Sequence, residues 1–545
     1  MYQAIIISLI TLIFTSCNTN REVPNISQSN FDQKNSNFYA ANYLSANYLI
    51  KNGDVYTASQ ILNKRMQNDK LLEIKFFSNL VSGKFNTADI VAKKLKNNNK
   101  TNILYDLPKY ILKIKDNNFK ESLQLFKDQE LFFNVGNLND LMKLWIEETE
   151  NKKDYLSERH YFNTSIHKLL ILENFHNSNK LIRIADAIYE GKNLNSLESL
   201  FLAGFYFRVD NFERSKEIIN TKLSNQFDKN SIISNFSNVN NMFSKLQKLK
   251  TILASKLYNF VNKNNEKISK FYLYQKILLE FSLFLEPRLD ISKYALAEIY
   301  NSEKISKVAI EKLESIPDRS FFSLAANLKK LSIIKSFEID IKYKSSLKKV
   351  VDLWPKNKLV LYRLASYYKS KKQFYKSIKI YKDILDQHKY NDRDIFLYAS
   401  NLDKIGKWKQ AKVLFLQLLK RNPEDTYTLN YVSYKLALKN QELDLALDLI
   451  EKALIIDPNN GYFLDTLGWV EFKRKNYNSA VFFLEKSVSI LPRSAEVIDH
   501  LGDCYLLLDR KREALFEWKK ALKYETDESI VKKIKDKIRK YEHLL

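Results

Sequence analysis

The apolar positions of this 545-residue chain fall into three textures. A mostly apolar run from Ala4 to Phe14 comes first. A polar stretch follows, "NTNREVPNISQSNFDQKNSN", rich in Asn, Ser and Gln. From residue 37 onward, apolar residues alternate with polar ones along segments of helical length. The first run is too short to cross a bilayer, which needs about 20 residues. It suits the apolar region of a signal peptide. The polar stretch reads as a flexible tether.

The third texture is periodic. Small residues stand at Ala365, Ala399, Ser433, Gly468 and Gly502, in steps of 34, 34, 35 and 34. A second row holds Ser377, Ala411, Ala446, Ala480 and Ala514, in steps of 34, 35, 34 and 34. Bulky residues follow the second row by four: Tyr381, Phe415, Ile450, Leu484 and Trp518. Both rows slip at "LALKNQELDLAL", which carries one extra residue. Pro355, Pro423, Pro458 and Pro492 each close a unit, since proline stops a helix. A fixed period of this length is the signature of a repeat array.

The pattern fades upstream. Ala297 and Ala309 precede Ala365 and Ser377 by 68 residues, two periods. Ala46, Gly53 and Ala58 fit one unit; Gly83 with Ala88, followed 34 residues later by Ser122, suggests another. Residues 201–219 fit a further one. The stretch 220–243 is Asn- and Ser-rich and interrupts the array. The tail "TDESIVKKIKDKIRKYEHLL" is acidic at its start and basic toward its end, as a helix dipole favours. It reads as the polar cap that terminal repeats need.

A 34-residue unit with these rows, specific over residues 358–523, resembles the tetratricopeptide repeat. The resemblance implies an all-α fold: a right-handed α-solenoid of helix-turn-helix repeats. The first small residue would lie on helix A and the second on helix B, where the two approach closely. Alanine is then expected to be tolerated at Gly468, and leucine to overpack it. Segments such as "NNGYFLDTLGW" also resemble bacterial envelope tetratricopeptide proteins. In the family, ligands lie along a concave face lined by helix A. The matching positions are Tyr362, Lys369, Phe396, Asp403, Tyr427, Asn430, Tyr434, Tyr462, Asp465, Trp469, Asp499 and Asp503. That surface is aromatic and acidic, and suits a peptide with apolar and basic residues.

Thr15-Ser16-Cys17 ends the apolar run and resembles a bacterial lipobox. The resemblance implies lipidation of Cys17 and a periplasm-facing, outer-membrane lipoprotein. An ordinary signal peptide or an uncleaved anchor is the alternative. The boundaries expected are 1–16 for the signal peptide and 17–36 for the anchor cysteine and tether. Degenerate repeats would fill 37–220 and 251–357, around a loop or break at 221–250. Well-defined repeats occupy 358–525 and a capping helix 526–545.

Composition narrows the picture. Nine Gly and eight Pro in so long a chain argue for mostly helical structure. The net charge of +25 admits an acidic partner, but the lysines are dispersed, as solvated helix faces require. Two cysteines, Cys17 and Cys504, make no disulfide framework and no zinc motif. Cys504 sits in an apolar helical stretch and reads as a small core residue.

No phosphate loop, dinucleotide fingerprint, nucleophile elbow or HExxH is present. The six histidines, His160, His167, His176, His388, His500 and His543, have no matching acidic motif. His500 follows Asp499, but adjacent helical residues point apart. No catalytic, metal or cofactor site is expected. The function expected is a non-catalytic scaffold that binds proteins or peptides and is tied to a membrane by lipid. Two other classes compete: a cytosolic RNA-binding array like the pentatricopeptide proteins, and an enzyme hidden in residues 100–290. Nucleic acid is not the expected partner, because an export signal precedes the array.

Overall fold

The computed structural model describes residues 69–98, 103–125, 138–150, 165–176, 178–191, 194–223, 229–234, 249–263, 272–336, 340–387 and 390–542. The expected signal peptide, Cys17, the tether and the unit at Ala46, Gly53 and Ala58 lie outside them. All regular structure among the described residues is helical, an α-solenoid of antiparallel helix pairs. The chain forms two compact units, one ending at Trp354 and the next starting at Pro355.

The carboxy-terminal unit holds five helix pairs and a final helix. The pairs are α1 (Lys358–Ser370) with α2 (Phe374–Gln387), then α3 (Asp392–Lys404) with α4 (Trp408–Arg421). Next come α5 (Thr426–Leu438) with α6 (Leu443–Ile456), and α7 (Gly461–Lys473) with α8 (Tyr477–Ile490). The fifth pair is α9 (Ala495–Leu507) with α10 (Lys511–Ala521), and α11 (Glu528–Glu542) ends the unit.

The two small rows are the seams of these pairs. Ala365, Ser377, Ala399, Ala411, Ser433, Ala446, Ala480 and Ala514 have no exposed surface. Gly468 and Gly502 are buried with them. Small side chains let two backbones come close enough for a serine to bond across: Ser377 Oγ donates to the Ala365 carbonyl (3.0 Å), and Ser433 Oγ to that of Ala446 (2.7 Å). The bulky row, Tyr381, Phe415, Ile450, Leu484 and Trp518, fills the space beside each seam.

Each turn from A to B is closed the same way. Seven residues after the first small residue the backbone turns left-handed, at Lys372, Gly406, Asn440, Lys475 and Asp509. The next N–H donates back to a carbonyl five residues earlier, as in Gln373 to Tyr368 (2.9 Å) and Asn476 to Glu471 (2.9 Å). This closure satisfies carbonyls that a helix end leaves bare. The extra residue of the third pair sits in this turn: Glu442 is a second left-handed residue there, before α6. Side chains of Asn357, Asn391, Asp425 and Asn460 cap α1, α3, α5 and α7. Prolines 423, 458 and 492 follow the residues that end α4, α6 and α8.

The glycines are tighter than the row predicts. A Cβ at Gly468 would lie 2.6 Å from Leu484 Cγ and 3.1 Å from the Ala480 carbonyl oxygen. At Gly502 it would lie 2.6 Å from two atoms of the Trp518 indole. Alanine is therefore not accommodated freely at Gly468, because a branched carbon and a main-chain oxygen already hold that space.

The amino-terminal unit keeps the turn but only part of the first small row. Spacings of seven and five link Phe76, Gly83 and Ala88; Tyr110, Asn117 and Ser122; Ala203, Asp210 and Ser215; and Ala297, Lys304 and Ala309. The middle residue of each is left-handed. In the first two pairs an aromatic residue stands where a small one was expected, which explains why the periodicity is weak there. The helix Asp69–Val81 packs on Tyr272–Leu285, far along the chain. Phe85 meets Phe284 (5.0 Å between ring centres), and Lys115 Nζ donates to the Phe284 carbonyl (2.6 Å). Asn195 Nδ2 donates to Asn259 Oδ1 (3.0 Å) from one side of the stretch 221–250 to the other.

Candidate functional site

The A helices α1, α3, α5, α7 and α9 carry all twelve expected groove residues. In the first two pairs, contacts between neighbouring A helices consume most of them. The Tyr362 phenol donates to Asp394, which is fully buried and also accepts from Lys358 Nζ (2.7 Å). Phe396 packs edge-on against Phe415 (5.3 Å) and Tyr431 (5.4 Å). Asp403 accepts from Lys435 Nζ (2.7 Å) and the Tyr431 hydroxyl (3.1 Å). Lys369 is half-buried; burial, then Lys404, lowers its pKa.

Across α5, α7 and α9 the residues form one layered cluster. Tyr434 Oη donates to Glu496 Oε1 (2.6 Å), a bond that skips the intervening α7. Asp465 and Trp469, the inward residues of α7, are each 6% exposed. Asp465 Oδ1 lies 2.9 Å from His500 Nδ1. The Trp469 ring stacks on His500 (4.1 Å, 19°) and on Phe472 (4.7 Å, 5°). Lys473 Nζ sits 4.6 Å from its centre, in reach of the ring's negative face. Trp469 Nε1 and Asn430 Oδ1 are buried without a hydrogen-bond partner. Trp469 is therefore a covered ring, not an open anchor.

Two expected residues are open. Tyr427 is 78% exposed and Tyr462 is 58% exposed, in the first turns of α5 and α7. Asp499 and Asp503 belong together on α9, because Lys537 of α11 donates to all four of their oxygens (2.7–2.9 Å). Trp518 Nε1 also donates to Asp503 (3.1 Å). Burial and the neighbouring Asp503 push the Asp499 pKa up, against Lys537.

His500 was legible only as a residue beside Asp499. Its partner is Asp465, 35 residues earlier. A separation of one repeat was the available signal. Burial alone would lower its pKa, but Asp465, Glu496 and Asp499 together hold it above its ordinary value. His167 is buried 3.2 Å from Asn259 Nδ2, and His176 lies 3.1 Å from Glu148. His160, His388 and His543 lie outside the described residues. Cys504 is fully buried, and burial pushes its thiol pKa up, the mark of an inert core thiol. Among the described residues, no three His, Cys, Asp or Glu side chains gather as metal ligands. No described helix is long and apolar enough to cross a membrane.

No protein-family model matches the sequence. A TPR repeat-containing protein of Methanocaldococcus jannaschii is 31% identical over 121 residues, 22% of this chain. The chain spans only 20% of that relative's length. Among solved structures, yeast Tom70 aligns over 94% of this chain and 97% of its own, at 12% identity and a TM-score of 0.35. A thermophilic TPR protein of Thermus thermophilus aligns over 34% of this chain and 97% of its own, at 18% identity and a TM-score of 0.30. The tetratricopeptide-like character of this chain rests on its own rows, seams and turns, with the curated relative in agreement.

Proposed function

We propose that this chain is a lipid-anchored scaffold of a bacterial cell envelope, holding protein partners on the A-helix face of its carboxy-terminal unit. The observation that carries the reading is the exposure of two large aromatic residues, Tyr427 and Tyr462, on the A helices α5 and α7. Tyrosine supplies large contact area at low entropic cost. Asp499 and Asp503 are already paired with Lys537, so the two tyrosines are the part of this face left open to a partner.

Anchoring rests on Thr15-Ser16-Cys17 after the apolar run. Several acyl chains on one residue hold a protein to a membrane firmly, whereas one chain binds only marginally. Fractionation in a bacterial host, with a high-salt wash, tests this part. The native chain stays with the membranes through the wash, and Cys17→Ala loses that retention. A wild-type chain in the cytosol would overturn both the anchoring and the envelope role.

A further inference from the structure

The five turns from A to B lie along one edge of the carboxy-terminal array, since each closes at the same register of its pair. This edge carries Lys404, Lys407 and Lys409 around the α3–α4 turn, Lys439 after α5, and Lys475 before α8. All five are exposed. None has an ion-pair partner among the described residues, because nearby carboxylates are already matched. Asp403 holds Lys435, Glu442 holds Lys412, Asp444 holds Arg474 and Asp509 holds Lys511. Neighbouring turns adjoin: Lys439 Nζ lies 6.0 Å from the Trp408 ring centre, beside an open cleft of about 430 Å³ that Gly406, Lys407 and Lys409 also line. Two leucines project from this edge, Leu438 beside Lys439 and Leu507 at the fifth turn, each 48% exposed at the ends of α5 and α9. The opposite edge is mixed in sign, with Lys420, Arg421, Arg493 and Lys523 beside Glu424, Asp425, Asp457 and Asp527.

We infer that this lysine edge is a docking surface for an anionic lipid bilayer, independent of any acyl chain on Cys17. A row of turns at repeat spacing presents many cations to one plane at once. Uncompensated lysines are attracted to anionic headgroups, each contributing about fivefold in affinity near the surface. The leucines supply the apolar contact that an interfacial surface adds to charge. The edge opposite has no such excess of cations, so the lysine edge is the side drawn to the surface. A nucleic-acid strand would call for aromatic platforms as well as cations; the ring beside Lys407, Lys409 and Lys439, Trp408, is 6% exposed, and the exposed Tyr375 stands at the first turn, apart from these five lysines.

The test uses the full chain carrying Cys17→Ser, with vesicles of phosphatidylcholine alone or mixed with phosphatidylglycerol. Binding is expected on the mixed vesicles above any binding to phosphatidylcholine, and it falls as salt rises. Joint Lys404→Glu, Lys407→Glu, Lys409→Glu, Lys439→Glu and Lys475→Glu should weaken the anionic component at least about a hundredfold. A control with the same charge change on B helices, Lys376→Glu, Lys379→Glu, Lys382→Glu, Lys420→Glu and Lys486→Glu, should keep most of it. Should the edge variant fail to fold, Lys407→Ala with Lys409→Ala gives the same ordering at smaller amplitude. Equal loss in edge and control variants would mean net charge alone acts, and would overturn the inference. So would equal binding to both vesicle types, or binding to a single-stranded oligonucleotide without binding to the mixed vesicles.

Discussion

At Gly502 an added methyl would meet the indole of Trp518, one of the largest fully buried side chains. Overpacking of that kind costs about 1–3 kcal/mol. The helical gain of alanine over glycine returns about 1 kcal/mol. Gly502→Ala should therefore be net destabilising by about 1 kcal/mol, and Gly468→Ala similarly. Calorimetry would show it as a melting point lower by a few degrees; unchanged melting in both variants would show that these seams have slack. His500 gives a second prediction. Its folded pKa is raised, so its protonated pairing with Asp465 contributes stability below the unfolded value of about 6.5. That contribution is lost as pH rises through the higher folded pKa. Urea midpoints of the native chain should fall over this window relative to those of His500→Gln. Parallel pH profiles would show that the imidazole is neutral throughout.

At the scale of the element, turn and seam have separate physical causes. Gly406 has a φ of +80° and nothing within 4 Å of its added Cβ, so Gly406→Ala strains the backbone alone. It should cost about 1–2 kcal/mol. Lys372→Gly, at a left-handed position occupied by a residue with a Cβ, should change stability the other way by up to about 1 kcal/mol. Equilibrium unfolding of the two variants checks the pair of signs, and the same sign in both would mean that the left-handed turn is not what closes the pairs. The helix pairs were legible in the sequence because seams demand small residues at a fixed spacing. The amino-terminal pairs were legible only in part, because Phe76 and Tyr110 stand in the first small row and only the turn residues and the second row keep register. The groove residues were legible as positions but not as environments. Tyr434 and Glu496 are 62 residues apart, and no local pattern shows that their bond passes over α7. Trp469 was legible as an inward residue, whereas the stack that covers it depends on His500, one pair further on.

At the scale of the molecule, the carboxy-terminal unit separates three surfaces by chemistry. The A-helix face exposes Tyr427 and Tyr462, the A–B turns hold unmatched lysines, and the opposite edge mixes both signs. The last helix terminates this arrangement through Lys537, which neutralises Asp499 and Asp503, and through Ile534 and Ile538 in the core. Lys537→Ala leaves two carboxylates facing each other beside Trp518. It should destabilise the unit by about 2–4 kcal/mol at neutral pH, with part of the loss recovered as pH falls and Asp499 protonates. A pH-independent loss would assign the effect to packing. The scaffold reading itself is tested most directly by a photo-crosslinking amino acid placed singly at Tyr427, Tyr462, Tyr375 or Phe516 in the full chain, irradiated in cells. All four positions are exposed, two on A helices and two on B helices. The account predicts one discrete protein adduct shared by Tyr427 and Tyr462 and absent from Tyr375 and Phe516. The same adduct from the B-helix positions, with none from the tyrosines of α5 and α7, would contradict it.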